Sequence, residues 1–210
     1  MKLLDKELLI KTGPVDHADW NFRFPLGVVQ KLRFQLALRL LPVHSNQLLE
    51  IGYGSGVFMP SLAQRADYLH GVDVHPRAEQ VTKALSKVRV GATLQKAAAE
   101  KLPYDNQKFD CVVAISALEF VDDLHRVCTE VKRILKPGGV FVVVTPGHSA
   151  LVDLGLRILT GKSAKQDFGD RRKSILPTLT ENFRVDARVT SPPVIGYLIP
   201  LYVALRLVKD

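Results

Sequence analysis

Closely spaced glycines directly follow an apolar segment at residues 48–58, whose sequence is LLEIGYGSGVF. An apolar run that ends in glycines is typical of a buried parallel strand that turns sharply into a helix. The glycines let the backbone turn and approach a ligand closely, and the helix that follows directs its free amides toward that ligand. This segment therefore predicts an α/β sheet with a nucleotide-cofactor site at the carboxyl end of its first strand.

The spacing of the glycines argues against a nicotinamide dinucleotide. The dinucleotide fingerprint has its third glycine three residues after the second, where this chain has Val57 instead. Here the third glycine stands one position earlier, at Gly56. The sequence also shows no sign of the separate catalytic domain that a dehydrogenase needs, so an NAD-dependent dehydrogenase is a remote alternative.

A second apolar segment, at residues 68–76, ends in an acid and a proline. Asp73 lies about 20 residues after Gly52, the distance at which the acid at the end of the neighbouring parallel strand binds a ribose. Its carboxylate can accept hydrogen bonds from both ribose hydroxyls, although the same arrangement would serve NAD. The alternative is that Asp73 caps the next helix, since Pro76 suits a first helical turn.

Three further segments separate the nucleotide-binding families. They read AAEKLPY at residues 98–104, FDCVVAISALEF at 109–120 and KPGG at 136–139. Together with Glu50 and the glycine turn, they resemble the motifs of class I S-adenosylmethionine-dependent methyltransferases of the small-molecule "methyltransferase type 11" kind. The motifs occur in the order of that family over about residues 47–148.

This resemblance implies an α/β fold with a Rossmann-like seven-stranded sheet. The sheet is expected to be mostly parallel, to end in a C-terminal antiparallel hairpin and to carry helices on both faces. A single methyltransferase domain over residues 1–210 is expected, which agrees with the 47% hydrophobic and 24% charged content. Its expected parts are an N-terminal helical cap at 1–46, a cofactor-binding core at 47–148, a substrate cap insertion at 149–178 and a C-terminal β-hairpin at 179–210.

The resemblance also implies S-adenosyl-L-methionine as the cofactor, with S-adenosyl-L-homocysteine as the product and no metal ion. In family terms, the glycine turn holds the methionine and ribose, Asp73 the ribose hydroxyls, and Val74 with residues 99–100 the adenine. The backbone at 115–116 lies near the amino-acid end, and Glu50 orients the turn or meets the ammonium group. The positions carried over as cofactor-binding are Glu50, Gly52, Tyr53, Gly54, Gly56, Asp73, Val74, Ala99, Glu100, Ile115 and Ser116.

Two positions depart from the family pattern. Ala98 stands where the family often has an aspartate that accepts a hydrogen bond from the adenine amino group. Backbone groups at 99–100 or the Glu100 side chain could replace it, and the alternative for Glu100 is an exposed loop residue. Phe120 replaces a histidine that is common in quinone-biosynthetic relatives, so a quinone acceptor is disfavoured.

The chemistry expected from this resemblance asks little of the protein. A sulfonium carries an activated methyl group, so in-line attack by an acceptor requires alignment above all. The catalytic residues are therefore left unassigned. Glu119 and His148 are weak candidates for a base because both follow strands whose carboxyl ends face one pocket. The alternatives are a residue that caps or solvates the next helix for Glu119 and an ordinary loop residue for His148.

Composition bounds the setting of the protein. Cys111 and Cys128 fall in a predicted strand and helix, so buried thiols in a reducing, cytoplasmic protein are expected. The N-terminal residues lack the apolar core of a signal peptide. Residues 194–208 are apolar but fall short of the roughly 20 residues that a spanning helix needs. They predict a strand, with peripheral membrane contact left open.

Nearly all of the net charge of +8 lies in the flanks of the chain, before Leu49 and after Ala150, whereas the core between them is nearly neutral. An anionic substrate, a membrane surface, RNA or a merely hydrated surface would each explain this excess. Residues 26–41 read as a basic amphipathic helix that packs against the sheet, and the alternative is a helix that lies on a membrane. The basic residues at 171–173 could grip a carboxylate or phosphate, and the alternative is a hydrated loop.

The acceptor is narrowed by absent motifs. No Asn/Asp-Pro-Pro-aromatic motif follows the fourth strand, which disfavours methylation of base nitrogens, and aromatics are not clustered among the basic residues. Nucleic acid is therefore a disfavoured partner. We expect methyl transfer to a small, hydrophobic or lipid-like acceptor. The alternatives are an RNA or protein methyltransferase, or a non-catalytic nucleotide-binding or interaction protein on the same fold. No oligomeric state is predicted.

Overall fold

The computed structural model describes residues 1–13, 16–147, 171–191 and 200–209. Its strands are β1 (Ser45–Ile51), β2 (Ala66–Asp73), β3 (Thr93–Lys96), β4 (Phe109–Ile115), β5 (Leu135–Pro146), β6 (Arg184–Ser191) and β7 (Tyr202–Val208). They form one seven-stranded sheet in the order β3-β2-β1-β4-β5-β7-β6. The first five strands pair in parallel, whereas β7 pairs antiparallel with both β5 and β6. The predicted fold class, including the C-terminal antiparallel hairpin, is confirmed.

The order of the strands reverses at β1, which lies between β2 and β4. Ile51 pairs with Val72 on one side and with Ala114 on the other. The carboxyl ends of these three strands therefore meet at the topological switch point of the sheet, where the order of the strands reverses. Ligands of open α/β sheets bind in the crevice at such a point.

Helices cover both faces of the sheet, as expected. They are α1 (Leu26–Leu40), α2 (Met59–Leu62), α3 (Ala78–Lys87), α4 (Leu124–Ile134) and α5 (Arg171–Asn182), with short 3-10 turns at Lys6–Leu8, Ala18–Phe22, Ala63–Arg65 and Leu118–Phe120. The core between the sheet and α1 to α3 includes Phe34, whose ring stacks on Phe58 at 4.5 Å. The core on the opposite face includes Val131 of α4 and Leu179 of α5.

The parallel strands are buried on both faces, which explains their continuous apolar sequences. Every residue of β4 from Cys111 to Ile115 is buried. Cys111 and Cys128 are buried free thiols, as predicted. Burial raises the pKa of both thiols, to about 12 and about 11 respectively, so neither is poised as a nucleophile.

Arg133 of α4 fixes the loop that precedes β4. Its guanidinium donates to the carbonyls of Leu102, at 3.0 Å, and Tyr104, at 2.6 Å, and pairs with Glu130 at 2.8 Å. The Glu130 carboxylate in turn accepts from the Leu102 amide at 2.8 Å. This network holds the residues after β3 beside the carboxyl ends of β1 and β2.

Some predicted boundaries differ from the structure. The first strand begins at Ser45, slightly before the predicted start of the core at residue 47. The helix α5 continues to Asn182 and so crosses the predicted junction between the cap and the hairpin. Most of the predicted 149–178 cap lies outside the described residues. Within the described part of the chain, no helix is long and apolar enough to cross a membrane.

Candidate functional site

A cavity of about 750 Å³ opens at the carboxyl ends of β1, β2 and β4. This volume lies within the range of roughly 300–1,000 Å³ that is usual for ligand pockets. One end of the cavity is formed by the glycine turn after β1 and the ends of β2 and β4. The other end continues beneath α1, α5 and the start of β7. The cavity therefore has one end whose lining suits a nucleotide. Its second end is lined by residues from the N-terminal and C-terminal flanks of the chain.

The glycine turn needs glycine for two different reasons. Gly52 has φ +76°, and a Cβ there would collide with the Cβ of Ala117. Gly54 has φ +51°, but a Cβ there would meet nothing within 4 Å, because the residue faces the open cavity. Gly56 lies behind the cavity, where its Cα packs so closely on α3 that a Cβ would lie 2.9 Å from Val81 Cγ1. Gly54 thus leaves room for a ligand to approach the backbone.

Asp73 ends β2 beside this turn. Its Oδ2 accepts a hydrogen bond of 2.8 Å from the Gly54 amide, and its Oδ1 accepts one of 3.3 Å from the His75 amide. The helix α3 begins only at Ala78, with Arg77 at its N-cap, so Asp73 does not cap it. Two carboxylate oxygens offer about four acceptor sites, and the remaining ones at this cavity wall can accept from vicinal hydroxyls.

His75 also belongs to this wall, although the sequence analysis did not select it. Its Nδ1 accepts a hydrogen bond of 3.1 Å from the Arg77 amide, so the ring proton of the neutral form lies on Nε2. Nε2 donates to the Gly54 carbonyl at 3.0 Å, and the ring meets Tyr53 edge-on with the centroids 4.9 Å apart. His75 thus ties the glycine turn to the end of β2. A histidine two residues after the strand-end acid was the available signal.

Glu50 is a buried carboxyl at the end of β1. It is 4% exposed and lines the cavity, and its Oε2 has no hydrogen-bond partner among the described residues. Burial raises its pKa to about 8, the Asp73 charge adds to this, and the Arg33 charge opposes it. A carboxyl group with spare acceptor capacity at this place suits a cationic ligand group.

The wall next to Asp73 is mostly apolar. Val74 is 67% exposed and, with Ala98 and Ala99, faces the cavity. Glu100 also lines this wall, but its carboxylate accepts a hydrogen bond of 3.0 Å from the Asp122 amide. The Glu100 side chain is therefore engaged with a neighbouring loop, and the apolar side chains of the wall suit an adenine ring.

The end of β4 forms the floor beneath the glycine turn. Ile115 and Ser116 both line the cavity. Ser116 has φ +51° and its amide donates a hydrogen bond of 2.7 Å to the Val144 carbonyl, which anchors the strand end. Of the predicted cofactor residues, all except Gly56 border one cavity, and the structure brings them together from β1, β2, β4 and the loop after β3.

The two weak base candidates have different positions. Glu119 is 1% exposed and does not border the cavity; its Oε1 accepts from Thr145 Oγ1 at 2.6 Å. Asp123, not Glu119, caps the following helix by accepting from the Arg126 amide. The alternative of a capping or solvated Glu119 is therefore wrong. His148 lies outside the described residues.

The far end of the cavity carries two arginines. Arg33 comes from α1, and Arg172, which is 7% exposed, comes from the first turn of α5. The hydrated loop considered for residues 171–173 is wrong, because these residues start a helix and Arg172 points inward. Tyr202, at the start of β7, lines the same region, and burial raises the pKa of its hydroxyl. Sequence could not reveal that α1 and α5 converge here.

Apolar side chains surround these polar groups. They are Trp20, Val29, Phe120, Val121 and Leu201. Within the described residues, no group of three or more histidine, cysteine, aspartate or glutamate side chains could hold a metal ion.

Comparison with known proteins agrees with this geometry. Residues 49–143 match the family model described as "Methyltransferase domain". This match spans β1 to β5 and so includes the glycine turn, Asp73 and the end of β4.

Two curated relatives and one solved structure are similar to the chain. A sterol 4-C-methyltransferase of Caenorhabditis elegans is 29% identical over 135 residues, covering 59% of this chain and 40% of that protein. A ubiquinone biosynthesis O-methyltransferase of Albidiferax ferrireducens is 30% identical over 142 residues, covering 64% and 56% respectively. The N-methyltransferase NodS from Bradyrhizobium japonicum, in complex with S-adenosyl-L-homocysteine, has the same fold with a TM-score of 0.67 at 20% identity, covering 93% and 94%. The chain thus spans about half the length of the curated relatives it matches.

Proposed function

We propose that this chain is a class I S-adenosylmethionine-dependent methyltransferase and that it transfers the methyl group of this cofactor to a small, hydrophobic or lipid-like acceptor. The observation that carries the proposal is one continuous cavity. One end of this cavity has a lining that suits a nucleoside, and the other end is mostly apolar. Donor and acceptor sites in one continuous cavity are what an in-line displacement requires.

The residues at the nucleoside-like end fit S-adenosyl-L-methionine. The bare face of Gly54 gives a ligand close access to the turn, and Asp73 has acceptor capacity left for the ribose hydroxyls. Val74 and the alanines at 98–99 offer an apolar surface for the adenine ring. The partnerless Oε2 of Glu50 suits the cofactor ammonium group. When bound, the cofactor supplies a methyl group already activated by its sulfonium.

The protein then acts by alignment and by exclusion of water. The glycine turn and the end of β4 fix the cofactor, and the apolar side chains of Trp20, Val29 and Leu201 fix the acceptor. Glu119 lies behind the cavity wall and is hydrogen-bonded to Thr145. This position argues against a direct transfer of a proton from the acceptor to Glu119. No base among the described residues is assigned.

The apolar lining supports a hydrophobic acceptor. Trp20, Val29 and Leu201 provide walls that bind through burial of apolar surface. The names of the curated relatives refer to a sterol and to the biosynthesis of ubiquinone. Both names point to hydrophobic small molecules. Phe120 stands where quinone-biosynthetic relatives often have histidine, so a quinone is the less favoured choice within the class.

The test is a transfer reaction with cofactor that carries a deuterated methyl group. The protein is incubated with a panel of apolar alcohols, phenols and acids, and products are detected by mass spectrometry. The proposal predicts an acceptor that gains one labelled methyl group, in proportion to S-adenosyl-L-homocysteine formed. Cofactor binding without transfer to any small acceptor, together with transfer to RNA or a protein, would contradict it.

A further inference from the structure

One face of α1 forms part of the cavity wall. Val29, Gln30, Arg33 and Phe34 all border the cavity, and spacings of three and four positions place such residues on one side of a helix. Gln35 belongs to the same helix, but it is exposed and does not border the cavity. The Gln30 side chain therefore belongs to the inner surface of the site, whereas Gln35 belongs to the outer surface of the helix.

The side-chain oxygen of Gln30 is buried without a hydrogen bond. Its Oε1 has no partner among the described residues. A buried carbonyl oxygen that has left water and gained no hydrogen bond costs free energy. An apolar side chain would avoid this cost, since Val29 and Phe34 stand on the same face of the helix. A ligand group that donates a hydrogen bond to Oε1 accounts for a glutamine at this place.

The position of Gln30 assigns that ligand group to the acceptor end of the cavity. Several other side chains of the wall also have a buried polar atom without a partner among the described residues, and those at the cofactor end are Glu50, Tyr53, Ser55 and Ser116. These four stand in the glycine turn or at the ends of β1 and β4. Gln30 stands instead on α1, the helix that contributes Val29 to the apolar end. Its free oxygen is therefore available to the acceptor.

Arg33 restricts the charge of the group that can donate to Gln30. It follows Gln30 by three positions on the same face of α1 and also lines the cavity. The guanidinium of an arginine is permanently charged, so it repels a ligand ammonium group. A ligand carboxylate has no proton to donate to Oε1. The donor is therefore neutral, and a hydroxyl is the simplest neutral donor on a hydrophobic molecule.

We propose that the methyl acceptor carries a neutral hydroxyl group that donates a hydrogen bond to Gln30 Oε1 inside the cavity. This inference rests on the proposed function and narrows its hydrophobic acceptor to an alcohol or a phenol. Gln30 determines specificity, because a site with a buried hydrogen-bonding group discriminates against analogues that leave this group unpaired. Trp20 and Val29 contact the apolar part of the same molecule.

The test uses calorimetry on protein saturated with S-adenosyl-L-homocysteine. The probes are 1-octanol and heptyl methyl ether, which are isomers, and only the alcohol can donate a hydrogen bond. We expect wild type to bind octanol about 3- to 10-fold more tightly than the ether. Gln30→Met keeps the length and helix propensity of the side chain but removes the amide, so it should lose this preference. Wild type without the preference, or a variant that keeps it, would overturn the proposal.

Gln35→Met is the matched control. It makes the same substitution at an exposed position of α1 and should leave the octanol preference unchanged. Urea denaturation of the ligand-free variants separates ligand recognition from a structural role. Gln30→Met removes a buried oxygen that has no partner, so its unfolding midpoint should be no lower than that of wild type. A midpoint clearly below that of Gln35→Met would assign Gln30 a structural role and contradict the proposal.

A further comparison separates the acceptor from the cofactor. Gln30→Met should bind S-adenosyl-L-homocysteine as tightly as wild type does. If the variant binds S-adenosyl-L-homocysteine more weakly and keeps the octanol preference, Gln30 contacts the cofactor and the proposal is wrong. Failure of wild type to bind S-adenosyl-L-homocysteine would contradict the proposed function instead. The titrations of octanol and its ether isomer without S-adenosyl-L-homocysteine would still report whether Gln30 recognises a hydroxyl.

Discussion

The amide of Gly54 donates a hydrogen bond of 2.8 Å to Oδ2 of Asp73, which joins the turn after β1 to the end of β2. The two residues are distant in sequence, and the parallel pairing of Ile51 with Val72 brings them together. The bond fixes the carboxylate at the cavity wall with its other acceptor sites available. The ribose end of the proposed cofactor site depends on this relationship.

Replacing Gly52 or Gly54 with alanine should have different effects. In Gly52→Ala the new methyl group meets Ala117 in a left-handed backbone, so unfolding free energy should fall by on the order of 2–4 kcal/mol. In Gly54→Ala the methyl group enters open cavity, so stability should fall by only about 1 kcal/mol while S-adenosyl-L-homocysteine binding is lost. Urea denaturation and calorimetry on both variants measure this. A Gly54→Ala protein with unchanged affinity would show that no ligand approaches this backbone.

His75→Ala should loosen the glycine turn. The change removes the donor to the Gly54 carbonyl and the acceptor for the Arg77 amide, at a side chain that is buried. We expect a stability loss of roughly 1–3 kcal/mol and a weaker affinity for S-adenosyl-L-homocysteine. His44→Ala is the control, because His44 is exposed and its contact with Asp67 lies at the surface. Equal effects of the two substitutions would show that His75 does not stabilise the glycine turn.

Glu50 should make the stability of the ligand-free protein depend on pH. Its pKa is raised from 4.5 to about 8, so the folded state holds a proton that the unfolded chain releases between these values. The associated stability is complete below about pH 4.5 and falls as pH rises toward 8. The glutamine side chain of the Glu50→Gln variant cannot titrate. The free energy of unfolding of this variant should therefore rise relative to that of wild type by a few kcal/mol between about pH 4.5 and pH 8. Urea denaturation at several pH values tests this, and parallel curves for the two proteins would contradict it.

Arg133 should control the loop beside the adenine wall. Arg133→Gln removes the donors to the carbonyls of Leu102 and Tyr104 and the ion pair with Glu130. We expect a stability loss of about 1–3 kcal/mol and faster amide exchange at residues 98–104. Lys83→Gln, which breaks an exposed pair with Glu79, serves as the control. Hydrogen exchange measured by mass spectrometry reports the exchange rates of these amides. Unchanged rates in Arg133→Gln would show that Arg133 does not hold the loop in place.

Local sequence signals predicted the parts of this site that lie at strand ends. Glycine spacing located the turn, and an acid at the end of an apolar run located Asp73, because parallel strands bring such ends together. Ten of the eleven carried-over residues border the cavity, and Gly56 supports it from behind.

Side-chain direction was harder to predict. Glu119 follows a strand, but it points into the protein toward Thr145, and nothing in its immediate sequence distinguishes this from an exposed residue. Arg172 stands between two exposed basic residues, so only the packing of α5 against the 3-10 turn and α4 reveals its burial. His75 acts through the backbone of Gly54, a contact that depends on tertiary structure.

The most direct test of the cofactor site is calorimetric titration of S-adenosyl-L-homocysteine and, separately, NAD into wild type and the Asp73→Ala variant. Asp67→Ala is the control, since Asp67 lies on the same strand but is exposed. We predict that wild type and Asp67→Ala bind S-adenosyl-L-homocysteine and not NAD. We also predict that Asp73→Ala binds S-adenosyl-L-homocysteine roughly tenfold to a few hundredfold more weakly, since charge-assisted hydrogen bonds are lost. Preferential binding of NAD, or an Asp73→Ala affinity equal to that of wild type, would contradict the account.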